Sequence, residues 1–194
     1  MAGEICPPNR HAADGFVLRS YRRGDGALLA AGLAGSYEHL APWMPWAREQ
    51  VSVEDCEAFA RESSAQYLGC SDFNVAVLDA DEGRLLGSSG FHLRGAAWPA
   101  IEAEIGLWIA AADAGRGLGT RVLSAMLDWG FYAWPWRRLE WHCDPRNRAS
   151  ARCAEKAGMA LVKAPDGAEP SAREEEVFFF ERAVFRRARG ESAE

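Results

Sequence analysis

A glycine-rich segment near the middle of the chain, Gly-Arg-Gly-Leu-Gly-Thr over residues 115–120, most restricts what this sequence can fold into. It follows an apolar, strand-like run over residues 100–109. It precedes a segment in which Val122, Met126 and Trp129 recur at helical spacing. Glycines let a backbone approach a phosphate closely, successive amides point into such a turn, and the helix adds the positive end of its dipole. The order strand, glycine loop, helix therefore predicts an anion site that suits a diphosphate.

Two known classes of phosphate-binding loop match this segment incompletely. Gly115 and Gly117 match the dinucleotide fingerprint Gly-x-Gly-x-x-Gly, but Thr120 stands in place of its third glycine. A predicted antiparallel meander also precedes the loop, whereas a dinucleotide-binding fold begins with parallel strands. The Gly-Lys-Ser/Thr of a nucleoside-triphosphate loop is absent. A glycine turn that binds no ligand is the structural alternative.

The remaining pattern predicts a mixed α/β domain of the α+β kind. Strands are predicted over residues 16–21, 72–78, 84–93, 100–109, 138–143, 159–163 and 177–185. Helices are predicted over residues 25–34, from Ser52 onward behind a capping-box-like start, over 118–131 and over 147–157, where Asn147 is a favourable N-cap. The strands between residues 72 and 109 should form the meander. Pro42 and Pro45 exclude one long helix over residues 36–47.

Composition limits the class of protein. The 194 residues, 48% of them hydrophobic and 26% charged, suit one globular domain. The formal net charge of -6 argues against a broad nucleic-acid binder, which would be basic. Five cysteines, widely spaced and without a Cys-x-x-Cys pair, argue against a disulfide framework or a metal site. We recognise no signal peptide or membrane-spanning run, so we expect a cytoplasmic protein.

The domain boundaries follow from where periodicity begins and ends. We predict a flexible tail over residues 1–14, one domain over residues 15–187, and a second flexible tail over residues 188–194. Within the domain, the Pro/Gly/Glu-rich stretch over residues 164–176 should be a mobile loop.

Three motifs follow one another along the chain. The first is His39-Leu40 followed by Trp-Met-Pro-Trp over residues 43–46, and the second is Arg-Gly-Leu-Gly-Thr over residues 116–120. The third is Asn-Arg-Ala-Ser over residues 147–150, which runs into Glu-Lys-Ala-Gly-Met over residues 155–159. In this order and spacing they resemble the GNAT superfamily of acetyltransferases, most closely its RimJ/RimL-type group, over roughly residues 16–185.

The resemblance implies a GNAT fold, a twisted and mostly antiparallel sheet of six to seven strands with flanking helices and two splayed central strands. It also implies acetyl-CoA (coenzyme A) as the cofactor, with its pantetheine arm in the gap between those strands. The backbone of Trp108, Ile109 and Ala110 would bind that arm, and Asn147 and Ser150 would hold the cofactor near the next helix. The pyrophosphate would lie on the loop residues Gly115, Arg116, Gly117, Leu118, Gly119 and Thr120.

Catalysis of amine acylation requires that an ammonium group lose a proton before its nitrogen attacks the thioester. A strand carboxylate does this in some relatives, which assigns the general base to Glu104. Glu102, two residues away on the same strand face, is the alternative base or steers the cationic amine. Many relatives have a tyrosine where this chain has Ala154, so Ser150 is the candidate donor to the leaving thiolate. Ala114 is a second departure, because relatives usually have Gln or Arg there.

The acceptor side is predicted from the first motif. We expect His39, Trp43, Met44 and Trp46 to form its wall, although ordinary packing of a proline-broken segment explains the same residues. The predicted activity is direct acetyl transfer, in a ternary complex, to a protein or peptide N-terminus or to a small amine. A non-catalytic acyl-CoA-binding sensor or partner module is the alternative. We expect a monomer or homodimer without nucleic-acid, membrane or metal partners, and interpret His92 and His142 as ordinary sheet residues.

Overall fold

The computed structural model describes residues 7–161, 176–182 and 186, and in this part of the chain eight strands form one open sheet with five helices. The strands are β1 (Arg10–Ala13), β2 (Phe16–Ser20), β3 (Phe73–Asp79), β4 (Leu85–His92), β5 (Glu102–Ile109), β6 (Arg138–Cys143), β7 (Ala160–Leu161) and β8 (Glu176–Glu181). The helices are α1 (Gly26–Leu33), α2 (Tyr37–Leu40), α3 (Val53–Leu68), α4 (Leu118–Ala133) and α5 (Arg148–Lys156).

The strand order in the sheet is β1-β2-β3-β4-β5-β6-β8-β7. Strands β1 to β5 pair antiparallel with their successive neighbours, which confirms the predicted meander. β5 then pairs in parallel with β6, and β8 pairs antiparallel with both β6 and β7. The mixed, mostly antiparallel sheet that the motifs implied is therefore confirmed.

The N-terminal segment differs from its prediction. The expected loose tail over residues 1–14 contains β1, which pairs with β2 from Arg10↔Arg19 to Ala13↔Phe16. Gly15, with a φ of +80°, completes the tight turn between the two strands. The Arg-His-Ala-Ala sequence of β1 shows no apolar alternation, so the sequence alone does not reveal that this segment is a strand. With β1 included, the described residues form a sheet of eight strands rather than the expected six or seven. The predicted loop, up to residue 175, and the tail over residues 188–194 lie outside the described residues.

The two faces of the sheet are covered by different helices. On one face, Ile105 of β5 packs with Met126 of α4 in the larger core cluster. On the other face, a smaller cluster contains Cys56 of α3 and residues of α1, with Trp108 of β5 packed against it. Since side chains alternate along a strand, Glu104 shares the α1/α3 face with Trp108.

Helix ends follow the local sequence signals. The Ser52 side chain caps α3 by accepting a hydrogen bond from the Asp55 amide at 3.0 Å, which confirms the predicted helix start. Phe59, which the sequence placed in the buried stripe of α3, is 42% exposed. α2 ends before Pro42, as the prolines require. None of the helices in the described part of the chain combines the length and apolar character needed to cross a membrane.

The centre of the sheet opens between β5 and β6. Their pairing covers only Glu102↔Arg138 to Glu104↔Glu140, while β5 continues to Ile109 and β6 to Cys143. The two strands therefore diverge after Glu104, and a gap separates their second halves. This gap confirms the splayed central strands that the resemblance implied.

Candidate active site

A cleft of about 2030 Å³ lies over this gap. It is lined by β4, β5 and β6, by the glycine loop, by the start of α5 and by the segment around residues 39–48. Residues from α1 and α3 complete its walls, so the cleft lies on the face of the sheet that carries Glu104 and Trp108. All three sequence motifs thus contribute to a single cleft.

The glycine loop presents unpaired amides to this cleft. Gly115 and Gly117 have φ values of +75° and +79°, which favour glycine, and a Cβ on either would meet nothing within 4 Å. Gly117 is the N-cap of α4 and makes no side-chain capping bond, so the first amides of the helix keep their donor capacity. Open space, donors and the positive helix end together fit a phosphate group.

Only part of the predicted loop faces the cleft. Gly115, Gly117, Gly119 and Thr120 line it, whereas Arg116 and Leu118 are not among the lining residues. The Arg116 residue is exposed, and Leu118 packs against the larger core cluster. The side chains at these two positions therefore do not line the cleft.

The backbone groups of β5 point alternately to its two neighbours. The carbonyl of Ile101, just before β5, accepts hydrogen bonds from the amides that lead into β6. The amide of Ala110, just after β5, donates to the Leu86 carbonyl of β4 at 2.8 Å. Odd-numbered residues of β5 therefore turn their N–H and C=O groups toward β6. Beyond the point of divergence, these are the groups of Leu107 and Ile109.

This alternation corrects two of the three positions predicted to bind the pantetheine arm through their backbone. Ile109 does turn its backbone to the gap. Trp108 turns its backbone to β4, and the amide of Ala110 is already bonded to Leu86. Leu107 also turns its backbone to the gap. It was not predicted, because the sequence of a strand does not reveal which neighbour each residue bonds.

The start of α5 closes the cleft beside the glycine loop. Asn147 Oδ1 accepts a hydrogen bond from the Ser150 amide at 3.1 Å, so Asn147 is the N-cap of α5. Ser150 Oγ accepts from Trp141 Nε1 at 3.0 Å, and its own hydrogen can still be donated. Cys153 Sγ lies 3.5 Å from Thr120 Oγ1 and brings α5 against the loop. Asn147 and Ser150, predicted to hold the cofactor, both line the cleft.

Five titratable side chains, Asp72, His92, Glu104, Glu140 and His142, cross the sheet and form what we call the polar row. The strand registers pair His92 with Glu104 and Glu104 with Glu140. His92 Nδ1 lies 2.9 Å from Asp72 Oδ1, and His142 Nε2 lies 3.1 Å from Glu140 Oε2. Of these five, His92, Glu104 and His142 line the cleft, on three neighbouring strands.

Glu104 is held in a bidentate ion pair. Arg94 Nε and Nη2 donate to its two carboxylate oxygens at 2.7 and 2.5 Å. Burial opposes the charged form, but the paired Arg94, with His142 and His92 nearby, holds the pKa of the Glu104 carboxyl below its usual range. The carboxylate is thus a charged, well-ordered group of the cleft floor.

The residues predicted to form the acceptor side lie around the same cleft. His39, Trp43, Met44 and Trp46 all line the cleft. The rings of Trp46 and Trp108 pack with centroids 5.9 Å apart, which places the first motif against β5. Glu102 is exposed and is not among the lining residues, because it precedes the gap.

Comparison with known protein families gives a match over the part of the chain that contains the strand gap, the uncapped glycine loop and the Asn-capped helix. The family described as Acetyltransferase (GNAT) domain matches residues 16–160 of this chain. The chain belongs to the GNAT acetyltransferase family. Enzymes of this family use acetyl-CoA. Among curated proteins, none matches the GNAT chain significantly.

Solved structures share the GNAT fold at low identity. The ribosomal-protein-S5-alanine acetyltransferase from Vibrio fischeri has a TM-score of 0.72 at 18% identity, with 90% of this chain and 97% of that chain covered. RimL, the ribosomal L7/L12 alpha-N-protein acetyltransferase solved with coenzyme A, gives 0.71 at 17% identity, covering 92% and 98%. The microcin C7 self-immunity acetyltransferase MccE, in complex with acetyl-CoA and AMP, gives 0.72 at 16% identity, covering 87% and 93%. RimJ/RimL-type enzymes are thus among the structural neighbours.

The residues of this GNAT chain fit the family's cofactor. The free amides at the start of α4 suit its pyrophosphate, and the outward backbone groups of Leu107 and Ile109 suit an amide-containing arm. Ala154 stands at the position where many relatives have a tyrosine. It is fully buried and, being alanine, offers no hydroxyl to the cleft. Ser150 is the hydroxyl nearest in sequence that does line the cleft.

The pairing of Asp72 with His92 was not predicted from the sequence. The register that places Val75 opposite Ser89 also places Asp72 opposite His92. A β-bulge between Val77 and Leu78 shifts this register by one residue, so counting outward from the turn over residues 79–83 does not bring the two residues together.

Proposed function

We propose that this chain transfers the acetyl group of acetyl-CoA to a primary amine by direct attack in a ternary complex. The observation that carries the proposal is the cleft itself, which joins the β5–β6 gap, the uncapped loop before α4 and the polar row. A cofactor site and a set of proton-transfer groups thus share one cavity, which bisubstrate transfer requires.

The acceptor class follows from charge and from the structural neighbours. Glu104 supplies a carboxylate on the cleft floor, and the whole chain has a formal net charge of -6, so a cationic amine suits it. The ribosomal-protein acetyltransferases among the neighbours favour a protein or peptide N-terminus, and a small amine is the alternative. We further propose that the enzyme acts in the cytoplasm as a monomer or homodimer.

In the mechanism, residues 115–120 and the outward backbone of β5 hold the cofactor, which supplies an activated acyl thioester. Glu104, the base predicted from sequence, lies on the cleft floor beside His92, and both groups can receive a proton. Ser150 can donate its hydroxyl hydrogen into the cleft toward the departing sulfur, because Trp141 occupies its acceptor side. The aromatic side chains of Trp43 and Trp46 line the acceptor side and would shield a bound amine from water.

The test begins with thermal stability in the presence of acetyl-CoA, succinyl-CoA or NAD. A ligand that binds only the folded state stabilises it by about 2.7 kcal/mol at 100 times its Kd. In a chain of this size that raises the Tm by about 5–10 °C. We expect this rise with acetyl-CoA and none with NAD. No rise with any acyl-CoA at millimolar concentration would contradict the proposal.

A non-catalytic acyl-CoA sensor is the second candidate, and the buried Ala154 in place of a hydroxyl residue favours it. The two functions differ in turnover. Thiol release in the presence of an N-terminal alanine or serine peptide, or of small primary amines, supports the transferase. Stabilisation by acetyl-CoA with no thiol release across that panel supports the sensor.

A further inference from the structure

His92 is held in an orientation that pairing in the sheet does not require. Its Nδ1 lies 2.9 and 3.1 Å from the two carboxylate oxygens of Asp72. Because an ionised carboxylate only accepts, the neutral ring keeps its hydrogen on Nδ1 and its lone pair on Nε2. Nε2 has no hydrogen-bond partner among the described residues, and the side chain, 18% exposed, lines the cleft.

Two glycines let the imidazole lie across the sheet. A Cβ on Gly106 of β5 would stand 2.7 Å from His92 Nε2, and a Cβ on Gly90 of β4 would stand 3.1 Å from the ring. Asp72 therefore holds one side of the ring, and Nε2 lies over Gly106. Pairing between β5 and β6 ends at Glu104, two residues earlier, so Nε2 lies where the gap begins.

Glu104 has the opposite environment. Its two oxygens are taken by Arg94, and its pKa lies below the usual carboxyl range. A general base works best when its pKa is near the working pH, so a carboxylate of this kind is a poor proton acceptor. A fixed negative charge opposite His92 is instead suited to hold an ammonium group close to Nε2.

We propose that His92 Nε2 accepts the proton of the acceptor's ammonium group, with Asp72 as the positioning residue that fixes the ring tautomer. The proposal rests on the proposed function and deepens it. The ammonium N–H bond breaks and its proton moves to Nε2. The freed lone pair forms the new C–N bond as the C–S bond of the thioester breaks. A second N–H proton leaves with the thiolate as thiol, and the imidazolium returns its proton to solvent.

This assignment has a distinct pH dependence. The charged groups that face His92 are Asp72 ahead of β3, Glu104 on β5 and Arg94 after β4, and Glu62 of α3 lines the same cleft. Only the unprotonated ring accepts a proton, so the acid limb of the kcat/KM profile should depend on the His92 side chain. A Glu104 base would place that limb at more acid pH, because the pKa of the Glu104 carboxyl lies below its usual range.

The first experiment measures thiol release from acetyl-CoA against pH, with the best acceptor from the alanine, serine and small-amine panel. We expect His92→Gln to lose the acid limb and about 10²-fold or more of kcat/KM, while acetyl-CoA still raises its Tm as in the parent. Asp72→Asn should lose less and displace the limb. His11→Gln, at a histidine of β1 that does not line the cleft, should keep it. An acid limb that survives His92→Gln overturns the proposal.

A second experiment needs no turnover. The four histidines can be observed by ¹⁵N NMR of the imidazole rings, with His92→Gln identifying the His92 signals. We expect neutral His92 to carry its hydrogen on Nδ1, and Asp72→Asn to shift the population toward Nε2–H. A neutral parent ring with its hydrogen on Nε2 overturns the proposal. A parent protein that acetyl-CoA fails to stabilise would contradict the proposed function instead.

Discussion

Gly106 sets the position of the His92 ring, because any side chain there would meet Nε2. Gly106→Ala places a methyl group 2.7 Å from that atom, and Gly90→Ala places one 3.1 Å from the ring. A displacement of about 1 Å can cost about 10²-fold in rate. We therefore expect kcat/KM to fall by about that factor in Gly106→Ala and by less in Gly90→Ala.

The control for these variants is Gly83→Ala, whose new methyl group meets nothing within 4 Å. It should keep the parent's kcat/KM, and thermal melts of all three variants report whether the fold persists. Equal activity of Gly106→Ala and Gly83→Ala would show that the ring position does not limit the reaction.

At the scale of elements, ligand binding by the turn before α4 can be tested separately from the backbone strain that any substitution at a positive-φ glycine causes. Gly117 and Gly35 have similar φ values of +79° and +70°, and a Cβ at either meets nothing within 4 Å. Alanine at each should therefore destabilise the fold by about 1–2 kcal/mol. Only Gly117→Ala adds a methyl group among the amides of the loop. We expect it alone to reduce the Tm rise caused by acetyl-CoA, and an equal reduction in Gly35→Ala would contradict a phosphate site at α4.

Elements with a strong local pattern were predictable to within a residue or two. The predicted strands over residues 72–78 and 84–93 became Phe73–Asp79 and Leu85–His92, because apolar runs and a turn signal define them locally. β1 was not predictable, since its pairing with β2 is set by a neighbour and not by its own sequence. The glycine loop was predictable from the sequence, because its positive φ values at Gly115 and Gly117 favour glycine. The Glu104–Arg94 and His92–Asp72 pairs required the strand register.

At the scale of the whole molecule, one ionic cluster ties the N-terminal strands to the rest of the sheet. Glu82, in the turn between β3 and β4, accepts from Arg10 Nε at 3.0 Å and from Arg19 Nε at 2.8 Å. Arg19 is only 4% exposed and also donates to Asp25 at 2.7 Å. The hydrogen bond from Arg10 lowers the pKa of the Glu82 carboxyl, and Arg19 lowers it further. Burial raises this pKa, but the net result is a value below the usual range.

A carboxylate with a lowered folded-state pKa stabilises the fold above its unfolded pKa, about 4.3 for glutamate, and loses that contribution as pH falls through the folded value. Glu82→Gln should therefore lower the Tm at pH 7 by a few degrees. The difference from the parent should vanish as the pH falls well below 4. Glu49→Gln, at an exposed position outside the ion pairs of the described residues, should leave the Tm unchanged at every pH. A pH-independent difference for Glu82→Gln would contradict the ionic explanation.

The divergence of β5 and β6 divides recognition between two kinds of chemistry. In the gap, the atoms offered to a ligand are peptide groups, which are the same whatever side chains the strands carry. The opposite wall is made of His39, Trp43 and Trp46, whose side chains define its shape. Under the proposed function, substitutions in this wall would change the acceptor without altering the peptide groups that face the cofactor. Chains with 16–18% identity to this one and TM-scores of 0.71–0.72 keep the same fold although most of their side chains differ.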